Sequence, residues 1–377
     1  MEKCKEERIA PQHKSAWFGF IKSMIYARQE DGRKKKMKPL NPFLGECFLG
    51  SWEDDGSGIG KTELVAEQVS HHPPMTTFNL WNDTHGVQLQ GNIAPRAYFN
   101  TTIHIQRCGY SLLTLSQHSE THLLTMPPVH ITGLMAGSIS PELSGTSYIR
   151  SSSGYTTRIS YSSKGWISGV PNSFSAVITK DGADKPIYTA EGQWSGEFLA
   201  KDARTGKTVM NLHTGSLKRR ELSVKPIEQQ KDWESRRAWR HVSEAINEND
   251  IFRIGKEKAK IENEQREMRK REKEQGKSWQ RRFFKRVTRD RLAEELAGKL
   301  DDVKLEMPGG IWVWDEEKYR SEMGLKASGG SDAGLLKSGV KSPTRAKWDS
   351  GVVMEGITFT IYADLPRRFS IVRSLRE

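Results

Sequence analysis

Three cysteines in 377 residues, Cys4, Cys47 and Cys108 at unrelated spacings, exclude a disulfide framework and a cysteine-based zinc site and point to a reducing, cytosolic setting. No run approaches the ~18 apolar residues that a membrane span needs. The N-terminal stretch MEKCKEERIAPQHK lacks the apolar core of a signal peptide. Histidine pairs at H-x-x-x-H or H-E-x-x-H spacing are missing from the helical stretches, and no G-x-S-x-G turn occurs, so the motifs of zinc and serine hydrolases are absent. Gly56-Ser57-Gly58-Ile59-Gly60-Lys61-Thr62 resembles a phosphate-binding loop, but Asp55 stands where its first glycine belongs. The residues after Thr62 form a strand-like run rather than a helix, so the segment reads as a hairpin turn.

Basic charge, by contrast, is plentiful and unevenly spread. The formal net charge is +12, and between Arg253 and Lys299 there are 17 Lys and Arg against 9 Asp and Glu. A second cluster is Arg33-Lys34-Lys35-Lys36-Met37-Lys38. Such runs read as solvated charge, as a nucleic-acid surface or as a surface for anionic membranes.

The spacing of Trp17, Phe20, Ile21, Met24 and Ile25 predicts a helix within residues 14–30. From Cys47 to His213 short β-type runs alternate with Gly, Pro, Asn, Asp and Ser. They include Thr62–Val69, Met75–Trp81, Val87–Gln90, Tyr98–Gln106, Tyr110–Leu115 and Phe174–Thr179. This regularity predicts an antiparallel meander closing toward a barrel too wide for side chains alone to fill. Helices are predicted over 233–248, with Trp239, Val242 and Ile246 on one face, and over 255–275, where Lys258, Glu262 and Arg266 recur four apart. Those three read equally as a self-supporting solvated row. Ser278-Trp279-Gln280-Arg281-Arg282-Phe283-Phe284 interleaves aromatics with arginines, which suits a membrane or nucleic-acid strand and equally an anchor to the barrel. Residues 327–351 are Gly/Ser-rich, and a strand-like run comes next at 352–363.

The least ordinary stretch is Glu67-Gln68-Val69-Ser70-His71-His72-Pro73-Pro74. The prolines force extended backbone at His72, so the run ends a strand. Neighbouring side chains on a strand point to opposite faces, which makes one metal ion shared by both rings a poor fit and hydrogen bonding to an anion a better one.

This run resembles the fingerprint of the oxysterol-binding protein family. Lys38-Pro39-Leu40-Asn41-Pro42-Phe43-Leu44-Gly45-Glu46, Gly192-Gln193-Trp194-Ser195-Gly196 and Gln265–Lys270 followed by Ser278–Arg282 fall in the family's order. The similarity is greatest to its short fungal members, which consist of the lipid-binding domain alone. The resemblance implies an α+β, mainly β fold: a large near-complete antiparallel β-barrel around an apolar lipid tunnel, with N- and C-terminal helices packed around it. It implies a lipid-binding domain over 1–320 with a truncated N-terminal lid, and a separate tail over 321–377.

It further implies a non-enzymatic, monomeric lipid-transfer protein, without catalytic residues, metal or cofactor, that exchanges phosphatidylinositol 4-phosphate for a sterol of the ergosterol type. Exchange would run between anionic cytosolic membrane surfaces, with the protein peripheral on endoplasmic reticulum or Golgi and binding no nucleic acid. A lipid sensor without productive transfer is the alternative. The headgroup would be held by Lys38, Pro39, Leu40, Asn41, His71, His72, Lys258, Glu262 and Arg266. Sterol would meet Ile25, Tyr26 and Gln29, and Trp279, Arg281, Arg282, Phe283 and Phe284 would touch the membrane.

Overall fold

The computed structural model describes residues 42–325, apart from 101, 133–139, 163–169, 217–221, 278 and 301–302. Its centre is a 14-stranded antiparallel sheet that follows chain order almost throughout. The first strands are β1 (Cys47–Trp52), β2 (Thr62–His71), β3 (Pro74–Asn82), β4 (Val87–Asn100), β5 (Thr102–Leu115) and β6 (Glu120–Thr125). A side pair, β7 (Val129–Thr132) and β8 (Ser140–Leu143), extends from β5. The path continues from β6 into β9 (Gly145–Ser151), β10 (Tyr155–Ser162), β11 (Ser173–Lys180), β12 (Tyr188–Gln193), β13 (Glu197–Asp202) and β14 (Thr208–His213). Short connections favour pairing of each strand with the next, so the meander expected from the sequence is the fold. Among the described residues no pairing joins β14 back to β1.

One expectation changes. The alternating run at 98–106 is not a strand of its own but the tip of a long hairpin, in which Tyr98 on β4 faces His104 on β5. The turn preserves the parity of the alternation, so the pattern runs through it without a break.

Register places one continuous face on the sheet. Ala66, Phe78, Gly91, Ser111, Leu124 and Ile149 form one row across β2 to β6 and β9. Ile159, Ala176, Ala190, Ala200 and Met210 form a row of the same parity across β10 to β14. Both rows are apolar or small. The reverse face differs between the halves. Over β2 to β6 it is covered by later elements, with Tyr110, Leu112 and Leu123 packed under Ala293, Leu296 and Ala297. Over β10 to β14 it carries Arg158, Ser175, Glu191 and Asn211 and meets water. On that half the apolar face holds side chains that are only half-buried, among them Phe174, Phe198 and Leu212.

The helices are α1 (Ser235–Ala238), α2 (Arg240–Asn247), α3 (Ile251–Glu274), α4 (Arg291–Ala297) and α5 (Glu316–Glu322), and a small second sheet pairs β15 (Phe284–Val287) with β16 (Ile311–Trp314). The helix expected over 233–248 breaks at Trp239, which leaves α1 and enters α2 while its ring is buried with Val242 and Ile246. The α3 helix starts at the Asp250 cap, earlier than the sequence suggested. Helix α5 straddles residue 320, where the domain boundary was expected. None of the described helices is long and apolar enough to cross a membrane.

Candidate functional site

The site is built at the end of β2. The His71↔Pro74 pair closes the ladder to β3, so His71 and His72 stand at a tight corner, both exposed. Their rings meet edge-to-face with centroids 4.6 Å apart. The His71 ring nitrogen Nδ1 donates to the Pro42 carbonyl at 3.2 Å. On the apolar face just inside the corner, Thr76 Oγ1 donates to the buried Gln68 Oε1 at 2.5 Å.

Buried carboxylates and one arginine tie three distant sequence blocks into this corner. Gly45 N donates to the Gln68 carbonyl and Gln68 N to the Glu46 carbonyl, each at 2.9 Å. The buried Glu46 carboxylate accepts from Trp239 Nε1 and from Ser235 Oγ, both at 2.7 Å, which fixes the start of the helical segment beside β1. Glu67, fully buried, accepts from the backbone N–H groups of Arg282 (2.9 Å) and Phe283 (3.0 Å). Arg281 donates through Nε (2.8 Å) and Nη2 (2.6 Å) to the Val69 carbonyl and lies over the Trp312 ring. Gly45, at φ +82°, admits the Trp279 ring so closely that a Cβ there would stand 2.2 Å from a ring carbon.

These contacts correct the membrane assignment of Trp279, Arg281, Arg282, Phe283 and Phe284. Phe283 and Phe284 are 0% exposed, in one core with Val65, Val69 and Met75. Arg282 lies between Trp233 and Trp279. The set pins the chain's C-terminal part to the outer face of the sheet, because two phenylalanines can bury there and the arginines have carbonyl and aromatic partners to hand.

Helix α3 approaches the same corner. Its half-buried stripe runs through Ile254, Lys258, Ile261, Gln265, Arg269 and Glu272, a three-to-four spacing. Ile254 lies in the buried cluster of Trp239, Val242 and Ile246, against which both Ile261 and Phe43 pack; Phe43 follows the residue whose carbonyl holds His71. Lys258 pairs with Glu262 at 3.4 Å, and Arg266 pairs with the same carboxylate at 3.6 Å. Lys258 is 21% exposed and Arg266 71%, so the row runs from the packed stripe out to solvent and its ion pairs contribute little stability. Burial, then the neighbouring His72, then the Arg269 guanidinium hold the His71 imidazole below the usual histidine range, against the Pro42 hydrogen bond. A bound anion would oppose these effects and favour the protonated imidazole.

The structure thus brings His71 and His72 to the flank of α3. Lys38, Pro39, Leu40 and Asn41, and the sterol set Ile25, Tyr26 and Gln29, lie outside the described residues. Reasoning from sequence missed Arg269 and the roles of Glu46 and Glu67. The signal for Arg269 was its place on the apolar stripe of α3, which the four-residue spacing of Lys258, Glu262 and Arg266 drew attention away from.

Comparison with known proteins gives concordant findings. The sequence profile described as Oxysterol-binding protein matches residues 14–254. The chain is 39% identical over 304 residues to Protein kes1 of Schizosaccharomyces pombe, covering 79% of this chain and 77% of that one. It is likewise 39% identical to Protein KES1 of Mycosarcoma maydis over 289 residues, covering 74% of each. Among solved structures, the Osh1 ORD domain in complex with ergosterol superposes with a TM-score of 0.59 at 18% identity, covering 77% of this chain and 71% of that one. The Osh3 ORD of Saccharomyces cerevisiae in complex with PI(4)P gives 0.53 at 21% identity and 73% of each. At those identities the superpositions establish the fold.

Proposed function

The chain belongs to the oxysterol-binding protein family, and on that premise we propose that it is a non-enzymatic lipid-transfer protein exchanging phosphatidylinositol 4-phosphate for a sterol. The observation that carries this reading is the corner that ends β2, where His71 and His72 stand exposed side by side, on a sheet that elsewhere, over β10 to β14, offers an apolar face of small and aromatic side chains only half-buried. An amphiphile with an acidic head and an apolar body is complementary to both. Relatives of the same fold crystallised with ergosterol and with PI(4)P support the two cargo classes.

In this reading His71, His72, Lys258 and Arg266 donate charge-assisted hydrogen bonds to the phosphomonoester, which carries close to two negative charges at neutral pH. Glu262, now between two cations, accepts from inositol hydroxyls. Lys38, Pro39, Leu40 and Asn41 lead directly into Pro42, whose carbonyl receives the His71 ring, so they complete the cradle. Tyr26, Ile25 and Gln29 contact the sterol. The lipid-binding unit takes in the described residues to the end of α5 rather than stopping at 320. The protein works as a monomer, docking peripherally on cytosolic leaflets of endoplasmic reticulum and Golgi, where each well-placed Lys or Arg adds about 1 kcal/mol on anionic lipid. Mass spectrometry of the lipid that co-purifies with the full chain, and then vesicle-to-vesicle transfer of that lipid, test the reading. Recovery of neither a phosphoinositide nor a sterol, with no transfer, would sink it.

A pH dependence is expected. His71 sits below the usual range, and a bound dianion raises its proton affinity, so binding takes up a proton. Affinity for the phosphoinositide should therefore rise as pH falls from about 8 to 6.5, by up to roughly tenfold per pH unit, and flatten near pH 6 where the phosphate itself protonates. Without lipid, the protein should lose stability as pH falls below about 6.5, since the unfolded chain takes up the proton more readily. Equilibrium binding across this range, with His71→Asn as the flat control, measures the effect.

A further inference from the structure

The ladder between β2 and β3 changes register just before the corner. Ala66 faces Phe78 and Gln68 faces Thr76, but the next pairs are Ser70 with Met75 and His71 with Pro74, so β2 carries one residue more than β3. This is a β-bulge at Val69 and Ser70. Its effect on His71 follows from parity. Pro74 shares the apolar face with Thr76 and Phe78, and His71 stands opposite Pro74. In an unbroken ladder the face of Gln68 would continue at Ser70 and His72, and His71 would point to the reverse side of the sheet. The bulged residues turn to that reverse side instead. An added Cβ at Gly309 would stand 3.3 Å from the Cβ atoms of both Ser70 and Met75, and Val69 is buried in one core with Phe283 and Phe284.

Two side chains clamp the bulge. Arg281 donates to the Val69 carbonyl through Nε and Nη2 at 2.8 and 2.6 Å. From the apolar face Gln68, 2% exposed, turns its amide along its own strand: Nε2 donates to the Ser70 carbonyl at 2.9 Å while Oε1 accepts from Thr76 Oγ1 at 2.5 Å. One amide thus joins the residue before the bulge, a residue within it and the facing strand. An amide buried on an apolar face costs free energy unless both its ends are bonded. Here both ends are spent on the bulge.

We propose that Gln68 is a positioning residue for phosphoinositide binding: its amide fixes the bulge that turns His71 to the apolar face of the sheet. The inference rests on the headgroup reading and assigns to Gln68 the geometry which that reading requires. His71 then meets the phosphate on the same face that receives the apolar body, so one molecule uses both. Without the clamp the strand end slips toward the regular register, which has no extra residue and carries His71 to the reverse side. Thr76 is the lesser half of the clamp, since it holds the amide oxygen while the bond to Ser70 spans the bulge itself.

The test compares Gln68→Leu, Thr76→Val and the His71→Ala, His72→Ala double variant in the full chain. Extraction of phosphatidylinositol 4-phosphate from phosphatidylcholine vesicles is measured beside uptake of a fluorescent sterol, and the His71 ring resonances are followed by NMR. Gln68→Leu should weaken phosphoinositide extraction roughly 10- to 100-fold, the effect of two neutral hydrogen bonds, and leave sterol uptake within about twofold. Its His71 ring should lose the signature of an Nδ1 bonded to the Pro42 carbonyl. Thr76→Val, nearly isosteric and at a half-buried position, keeps the bond to Ser70 and should cost about two- to tenfold. A purely structural role would lower both cargoes together and leave the His71 resonances of the folded molecules in place. Undiminished extraction by Gln68→Leu, equal loss of the two cargoes or an unmoved His71 ring overturns the inference, while the headgroup reading stands if the double variant has lost extraction. If Gln68→Leu does not fold, Thr76→Val decides: a loss confined to the phosphoinositide supports the clamp, and any other result overturns it. Undiminished extraction by the double variant overturns the headgroup reading and this inference with it.

Discussion

Replacing His71 and His72 together by alanine is expected to abolish extraction of phosphatidylinositol 4-phosphate while leaving the fold and any sterol uptake in place. Both side chains are exposed, and the hydrogen bond from His71 to the Pro42 carbonyl contributes about 1 kcal/mol, so the folded state loses little. The ligand loses far more. Two charge-assisted donors to a phosphomonoester at about 1.5–3 kcal/mol each amount to roughly a hundred- to ten-thousand-fold in affinity. Sterol has no phosphate to miss them, so a fluorescent sterol should still enter the double variant. The discriminating result is a split between the two cargoes in vesicle extraction. Equal loss of both would mean that the corner is a structural joint rather than a headgroup cradle, and loss of neither would move the cradle elsewhere.

Why the corner was legible in advance, and its supports were not, depends on the kind of signal each leaves. His71-His72-Pro73-Pro74 announces a strand end, because proline restricts its own and the preceding backbone, and the structure ends β2 there. The meander was equally legible from alternation bounded by turn residues; it departs from expectation at the tip between β4 and β5, where the alternation passes unbroken through the turn, and at the side pair β7 and β8. The row Lys258, Glu262, Arg266 announces a helix face, yet only the cluster that Ile254 shares with Trp239 and that Phe43 covers says which side of α3 is turned to the sheet's end. Phe283 and Phe284 look the same in sequence whether they enter a bilayer or a core. The decision belongs to Glu67, whose carboxylate lies 215 and 216 residues away from the N–H groups that it holds. Long-range pairing of that kind has no periodicity to read.

Glu67→Ala is accordingly expected to be the most damaging single change to folding among the fingerprint residues. The carboxylate is fully buried, and its hydrogen bonds hold the backbone of Arg282 and Phe283 against β2. Burial pushes its carboxyl up, and the two backbone donors and then the charge of Arg282 pull it back. Because the folded chain keeps that proton longer than the unfolded chain does, ionised Glu67 is tolerated at neutral pH only through these donors. Removing it orphans two N–H groups at about 1–3 kcal/mol each and loosens the packing of Phe283, for a loss of about 3–5 kcal/mol. In a domain of this size that is roughly 6–15 °C in Tm. Glu67→Gln should fall between, since its amide offers one oxygen to one donor and turns an NH2 toward the other. Thermal unfolding of the full chain measures both, and an unchanged Tm for Glu67→Ala would refute the joint. Function separates the two halves of the fingerprint further. Loss of the joint frees the strand end from Arg281 and Phe283, so Glu67→Ala should impair phosphoinositide and sterol alike, whereas loss of the histidines should impair the phosphoinositide alone.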